Sequence, residues 1–287
     1  MDQIEIRLCK TWDECLQCEE LQKRIWEMPD YRDVVPANLL ITAAKNGGIF
    51  VGAFDGGAMV GFAFGFLGSE AKSDGSARRL KHTSHMLGVV PDVRVKGLGA
   101  HLKWFQRQVA LTQGLDLMTW TYDPLQAVNA HLNLARLGAI ARRYYRNAYG
   151  DMTDALNAGV ASDRFEVEWY LTSARVSEHE HGRATCEGYA EAQKIYRVEW
   201  DDDALPMIAK EEAITGEAVL VEIPADYNAL KAMNRALAVQ WRERTRQTFE
   251  RAFELGYVAC DAIRKNDRDG RARAFYLLKK DVTGCES

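Results

Sequence analysis

Between an apolar strand and an amphipathic helix the chain carries Arg94-Val95-Lys96-Gly97-Leu98-Gly99, a stretch that few architectures can use. Two glycines one residue apart let the backbone turn tightly with no Cβ atoms in the way, so successive N–H groups can point into one concavity. His82 to Val90 reads as the strand leading in, and Leu98 to Gln113 as the helix leading out. The unpaired N–H groups of the helix's first turn and the positive end of its dipole face the same spot, and Arg94 and Lys96 add full charges. A pyrophosphate is the expected ligand. The spacing excludes two familiar phosphate loops, because neither G-x-G-x-x-G nor G-x-x-x-x-G-K-[ST] occurs here.

What does occur is R-x-x-G-x-G, preceded by Leu87-Gly88-Val89-Val90-Pro91 and followed by Leu98, Leu102, Phe105 and Val109 at helical spacing. The stretch resembles the acetyl-CoA motif of the GNAT superfamily of N-acyltransferases, and the order of elements over residues 3 to 172 is similar to the whole GNAT core. An ordinary strand-to-helix turn is the alternative. The resemblance implies that the loop and first turn (Arg94, Val95, Lys96, Gly97, Leu98, Gly99 and Ala100) hold the coenzyme A pyrophosphate. It further implies that the thioester lies along the strand at Leu87 and Val89, and that Asn129 contacts pantetheine or acceptor.

The same resemblance implies direct attack of an amine on the thioester and a base that removes the ammonium proton. His85 holds a position similar to that of a histidine in arylalkylamine N-acetyltransferases, and an imidazole pKa near 6.5 suits the task. A hydrogen-bonded structural role is the competing reading for His85, and Glu166, Glu168 or a water-mediated base are the other candidates. Many GNAT enzymes protonate the departing thiolate with a tyrosine four residues before the helix-ending glycine, where this chain has Leu134. Tyr144 is the candidate substitute, with Tyr145 and Tyr149 beside it. An anionic acceptor or acyl group would need a cation, for which Arg142, Arg143 and Arg164 are available.

At 287 residues with 47% hydrophobic content the chain suits two domains with sizeable cores. Expected are a GNAT domain over residues 1–172 and a smaller, degenerate GNAT-like domain over 173–287, an α/β (α+β) fold with a mixed central sheet. A formal net charge of −4 gives no general affinity for nucleic acid or anionic membranes. No stretch approaches the roughly 20 apolar residues of a membrane helix, and the start lacks a signal peptide, so a cytoplasmic location is expected. Six scattered cysteines read as reduced thiols. Cys15 and Cys18 form the one C-x-x-C, but both lie on the expected buried face of a helix opened by the capping box Thr11-Trp12-Asp13-Glu14, so no metal is expected.

Further along, Asp55-Gly56-Gly57 predicts a hairpin turn, Gly68 to Lys81 a loop, and Asp123-Pro124 a helix start with Asp123 as N-cap. That helix should bury Leu125, Val128, Leu132 and Ala135 and end at Gly138. In the second half, strands are expected at 194–200, 218–223, 257–263 and 272–278, with one long helix over 226–255. Its run Arg242-Glu243-Arg244-Thr245-Arg246 reads as a solvated face. This half repeats the strand, helix, strand, strand order without a glycine loop, and is expected to shape the acceptor pocket or a dimer interface.

The sequence thus points to an acyltransferase using acetyl-CoA or another acyl-CoA, with a small-molecule amine as acceptor. A non-catalytic coenzyme A sensor and a protein lysine acetyltransferase are the alternatives.

Overall fold

The computed structural model describes residues 4–71, 78–91, 97–150, 160–182, 189–280 and 282. Two compact units divide between Trp120 and Thr121.

The first unit holds β1 (Ile4–Leu8), α1 (Trp12–Trp26), α2 (Ala37–Lys45), β2 (Ile49–Asp55), β3 (Ala58–Glu70), β4 (Arg79–Val89) and α3 (Leu98–Thr112), and most of β5 (Leu117–Tyr122). The strands run in the order β1-β2-β3-β4-β5, antiparallel up to β4 and parallel between β4 and β5. Thr11 and Glu14 form the capping box, each accepting from the other's backbone N–H, an arrangement that contributes about 1 kcal/mol at such a terminus. The turn between β2 and β3 needs left-handed backbone at Gly56 and Gly57 (φ +55° and +90°), the geometry that suits a two-residue hairpin loop. Cys15, Cys18, Leu40, Phe50, Phe54, Phe62 and Phe64 share one core, and burying each large side chain stabilises the unit by about 1.5–3 kcal/mol. Burial pushes the Cys15 thiol up to about 11, as expected of an inert core cysteine.

The expected loop over 68–81 is shorter than the sequence suggested. β3 and β4 stay paired out to Glu70↔Arg79. Polar contacts hold this extension, with Lys81 on Glu70 at 3.1 Å and the Arg78 guanidinium on Ser69, and polar cross-strand pairs give no apolar alternation to read.

The second unit holds α4 (Ala127–Ala130), a π-helical turn (His131–Arg136), β6 (Ile140–Tyr145), β7 (Arg164–Tyr170), α5 (Ala174–Glu180), β8 (Gln193–Lys194), β9 (Tyr196–Trp200), β10 (Pro206–Glu211), β11 (Ala218–Ile223), α6 (Tyr227–Met233), α7 (Arg235–Glu254), β12 (Val258–Asn266) and β13 (Ala272–Lys279). Its strands run β7-β6-β12-β13-β11-β8, with β9 and β10 as a separate hairpin. The unit boundary precedes the expected residue 172 because β6 and β7 join this sheet, β6 meeting β12 at Ala141↔Ala259.

Two helices differ from expectation. Asp123 does not cap α4. Its Oδ1 accepts from the Leu125 N–H in a turn, and the helix starts at Ala127 after Gln126. The π-helical turn then shifts the register, so that Asn133, Leu134 and Leu137 are buried while Val128 is 59% exposed. The long helix over 226–255 is broken at Asn234, whose side chain accepts from the Leu237 N–H as N-cap of α7, just as Asp226 caps α6. The break turns Met233 outward, where it is 64% exposed.

Candidate active site

Gly97 is the N-cap of α3 and has φ +85°, ψ 9°, a conformation that favours glycine. No side chain caps the helix and no acidic residue stands in its first turn. The N–H groups of Leu98, Gly99 and Ala100 therefore lack intrahelical acceptors at the positive end of a 15-residue helix. A Cβ on Gly97 would meet only the His101 ring at 3.9 Å, so the space beside it is open. Arg94, Val95 and Lys96 lie outside the described residues.

The strand leading to this helix has two edges. The Val90 N–H bonds to the Val60 carbonyl of the β3 side at 3.0 Å. Alternation along a strand then turns the Gly88 and Met86 N–H groups the same way and those of Leu87 and Val89 the other way, toward the β5 edge. On that edge the β4–β5 ladder holds only at His82↔Met118 and Thr83↔Thr119 among the described residues. Leu87 and Val89 therefore present their amides beyond the point where the strands part.

His85 sits where β4 carries one residue more than β3. Gly65 faces Ser84 and Phe64 faces Met86, leaving His85 as the bulged residue between them. A bulge re-aims a side chain. The His85 ring lies at 6.3 Å from Phe64 and 5.8 Å from Phe66. Desolvation lowers its pKa below the usual imidazole value, which keeps the ring neutral and able to accept a proton near pH 7.

Beneath the bulge is a buried polar network that periodicity did not reveal. Lys103, 2% exposed, donates to Ser84 Oγ at 2.9 Å and to Gln106 Oε1 at 3.0 Å, with its Nζ 3.7 Å from the Trp120 ring centre. Gln106 Nε2 lies 3.1 Å from His82 Nε2. The buried face of α3 thus includes Lys103, Gln106 and Arg107, whereas Phe105 and Val109 of the expected apolar stripe are only partly buried. Burial pushes His82 down to about 3 and Lys103 well below the usual lysine value.

The remaining candidates lie in the second unit. Tyr144 donates its hydroxyl proton to Asp163 Oδ2 at 2.6 Å and packs against Phe165 and Phe249, and burial raises its pKa. Asn129 is exposed on α4, and Leu134 is fully buried. The alternative bases are engaged: Glu168 with Arg142 at 2.8 Å, and Glu166 with Arg143 at 2.8 Å and the Tyr145 hydroxyl at 2.9 Å. Those ion pairs also occupy two of the three expected anion-binding arginines. Arg242, expected to be solvated, is 2% exposed and paired with Asp123 at 2.6 Å. Charge alternation in sequence cannot show that two of the run's arginines face buried aspartates.

Among the described residues, no group of three His, Cys, Asp or Glu side chains is placed to hold a metal, and no helix is long and apolar enough to cross a membrane.

No family model and no curated protein matches the chain. Several solved structures are similar to part of it. The ribosomal-protein-S18-alanine N-acetyltransferase from Escherichia coli is 16% identical, over 60% of this chain and 96% of its own, with a TM-score of 0.44. A GNAT-family acetyltransferase from Streptococcus pneumoniae is 13% identical over 58% and 98%, with a TM-score of 0.44. The PaiA N-acetyltransferase from Thermoplasma acidophilum, solved with coenzyme A, is 15% identical over 58% and 98%, with a TM-score of 0.39. Likenesses of this size leave the function to the chain's own residues.

Proposed function

We propose that the protein is an acyl-CoA-dependent N-acyltransferase that moves an acetyl or succinyl group to the primary amine of a small molecule such as an amino acid. The observation that carries the reading is the juncture of β4 and α3. An uncapped helix starts on a left-handed glycine directly after a strand whose Leu87 and Val89 amides face an edge that the neighbouring strand has left. The amides of Gly97, Leu98, Gly99 and Ala100, with the charges of Arg94 and Lys96, suit a pyrophosphate. The Leu87 and Val89 amides suit the pantetheine and the thioester oxygen, whose charge develops as the amine nitrogen attacks the carbonyl carbon.

In this reading His85 takes the ammonium proton, the C–N bond forms, the C–S bond breaks and the thiolate leaves with a proton from an acid. Tyr144 is the candidate acid and Asn129 a candidate pantetheine contact. The acyltransferase core falls within residues 1–172, in the cytoplasm, with 173–287 as an extension open to a homodimer contact. The sensor reading gains support from Leu134, buried where a tyrosine would serve, and from the engagement of Tyr144 with Asp163.

Free-thiol release from acetyl-CoA and succinyl-CoA, measured with the amino acids and simple amines as acceptors, tests the proposal. Acceptor-dependent release is expected. Coenzyme binding without release across the whole panel would favour the sensor.

A further inference from the structure

Arg242, on α7, is 2% exposed, and only part of its hydrogen-bonding capacity is used. Nη2 donates to Asp123 Oδ2 at 2.6 Å, and the ring of Tyr227 lies 5.1 Å from the guanidinium carbon. Nε and Nη1 are buried with no hydrogen-bond partner. A guanidinium has five N–H donors, no acceptor and no accessible neutral form, so it cannot escape this burial by losing its proton. Buried donors of this kind call for an acceptor.

The neighbouring groups indicate the sign and size of that acceptor. Arg246 donates to both oxygens of Asp163 at 2.7 and 3.1 Å, and Asp163 also receives the Tyr144 hydroxyl and the Asn147 N–H. Arg164 donates to the Asp163 carbonyl at 2.8 Å, its guanidinium 5.0 Å from the Tyr149 ring centre. Burial lowers the Arg164 pKa, the fields of Asp123 and Asp163 support its charge, and Arg242 opposes it. Three guanidiniums therefore gather on two carboxylates. The cluster reaches solvent at Arg164, which is partly exposed, and at Tyr149, which is 60% exposed and bonded to the Thr121 hydroxyl at 2.9 Å.

We infer that this cluster is a binding site for one small carboxylate, held by the Nε and Nη1 donors of Arg242 with Arg164 as the second cation. A carboxylate is planar, like the guanidinium edge it would meet, and its single charge balances three cations against two anions. A phosphate dianion would overcharge the same space. The inference rests on the second unit by itself and does not depend on acyl transfer.

The test is calorimetric titration of the full-length protein with sodium succinate, sodium acetate and sodium phosphate at constant ionic strength, combined with the 15Nε resonance of Arg242. The carboxylates are expected to bind and shift that resonance, phosphate to bind at least tenfold more weakly, and Arg164→Gln and Arg242→Gln to raise the succinate Kd at least tenfold. Arg164 is partly exposed, so Arg164→Gln remains informative if Arg242→Gln fails to fold. No binding by the wild type, phosphate binding as tight as succinate, or an unchanged Kd in Arg164→Gln would each overturn the inference.

Discussion

His85 and His82 are three residues apart on one strand and are set to opposite tasks by their surroundings. His85 is bulged out toward Phe64 and Phe66, and desolvation lowers its pKa. A base with a lowered pKa keeps its activity to lower pH, so the acid limb of kcat/KM is expected to fall below pH 6.5. His85→Ala should lower kcat by about 10²–10³-fold at pH 7, with a smaller loss at high pH where free amine is abundant. An unchanged neutral-pH rate in that variant would remove His85 from the mechanism.

His82, fully buried beside Gln106 and the Lys103 ammonium, is pushed down to about 3. The unfolded chain takes up a proton there below about pH 6.5 and the folded chain does not, so the stability this residue contributes is present above 6.5 and lost as pH falls toward 3. Urea denaturation should therefore show the wild type losing on the order of 1.4 kcal/mol per pH unit relative to His82→Gln between pH 6 and 4. Parallel pH dependences in the two proteins would mean that His82 is protonated in the fold.

Among the elements, the start of α3 carries the functional argument and Gly97 sets its geometry. The side of that residue is open, but at φ +85° a residue with a Cβ is strained whatever the space. Gly97→Ala is expected to destabilise the protein by about 1–2 kcal/mol, whereas Gly97→Asn should cost less because asparagine tolerates left-handed backbone. Both place atoms where an anion would meet the amides, so both should weaken acetyl-CoA binding at least tenfold. A variant destabilised with its coenzyme affinity intact would separate the helix start from the ligand. The strand–glycine–helix order of this region was legible because glycine spacing and apolar periodicity both mark it. The buried face of α3 was less so: Lys103 and Gln106 turn inward to bond Ser84 and each other, which no hydrophobic period reports. The break at Asn234 was hidden for a related reason, since apolar residues continue at helical spacing on both sides of an asparagine that leaves the helix to cap the next one.

Taken as a whole, the molecule departs from its sequence reading where charges are buried. The run from Arg242 to Arg246 alternates in sign like a solvated helix face, yet Arg242 and Arg246 reach Asp123 and Asp163, residues 119 and 83 positions away. Partners so distant in sequence cannot be paired by inspection of a single chain. The strand order and most strand positions were recovered because short apolar runs bounded by turn residues survive without such knowledge. The central claim is that an acyl-CoA binds where β4 meets α3. Calorimetric titration of acetyl-CoA into the wild type and Gly97→Asn tests it most directly. Saturable one-to-one binding by the wild type, weakened at least tenfold in the variant, is the expected result; no binding by the wild type, or equal affinity in the two proteins, would contradict it.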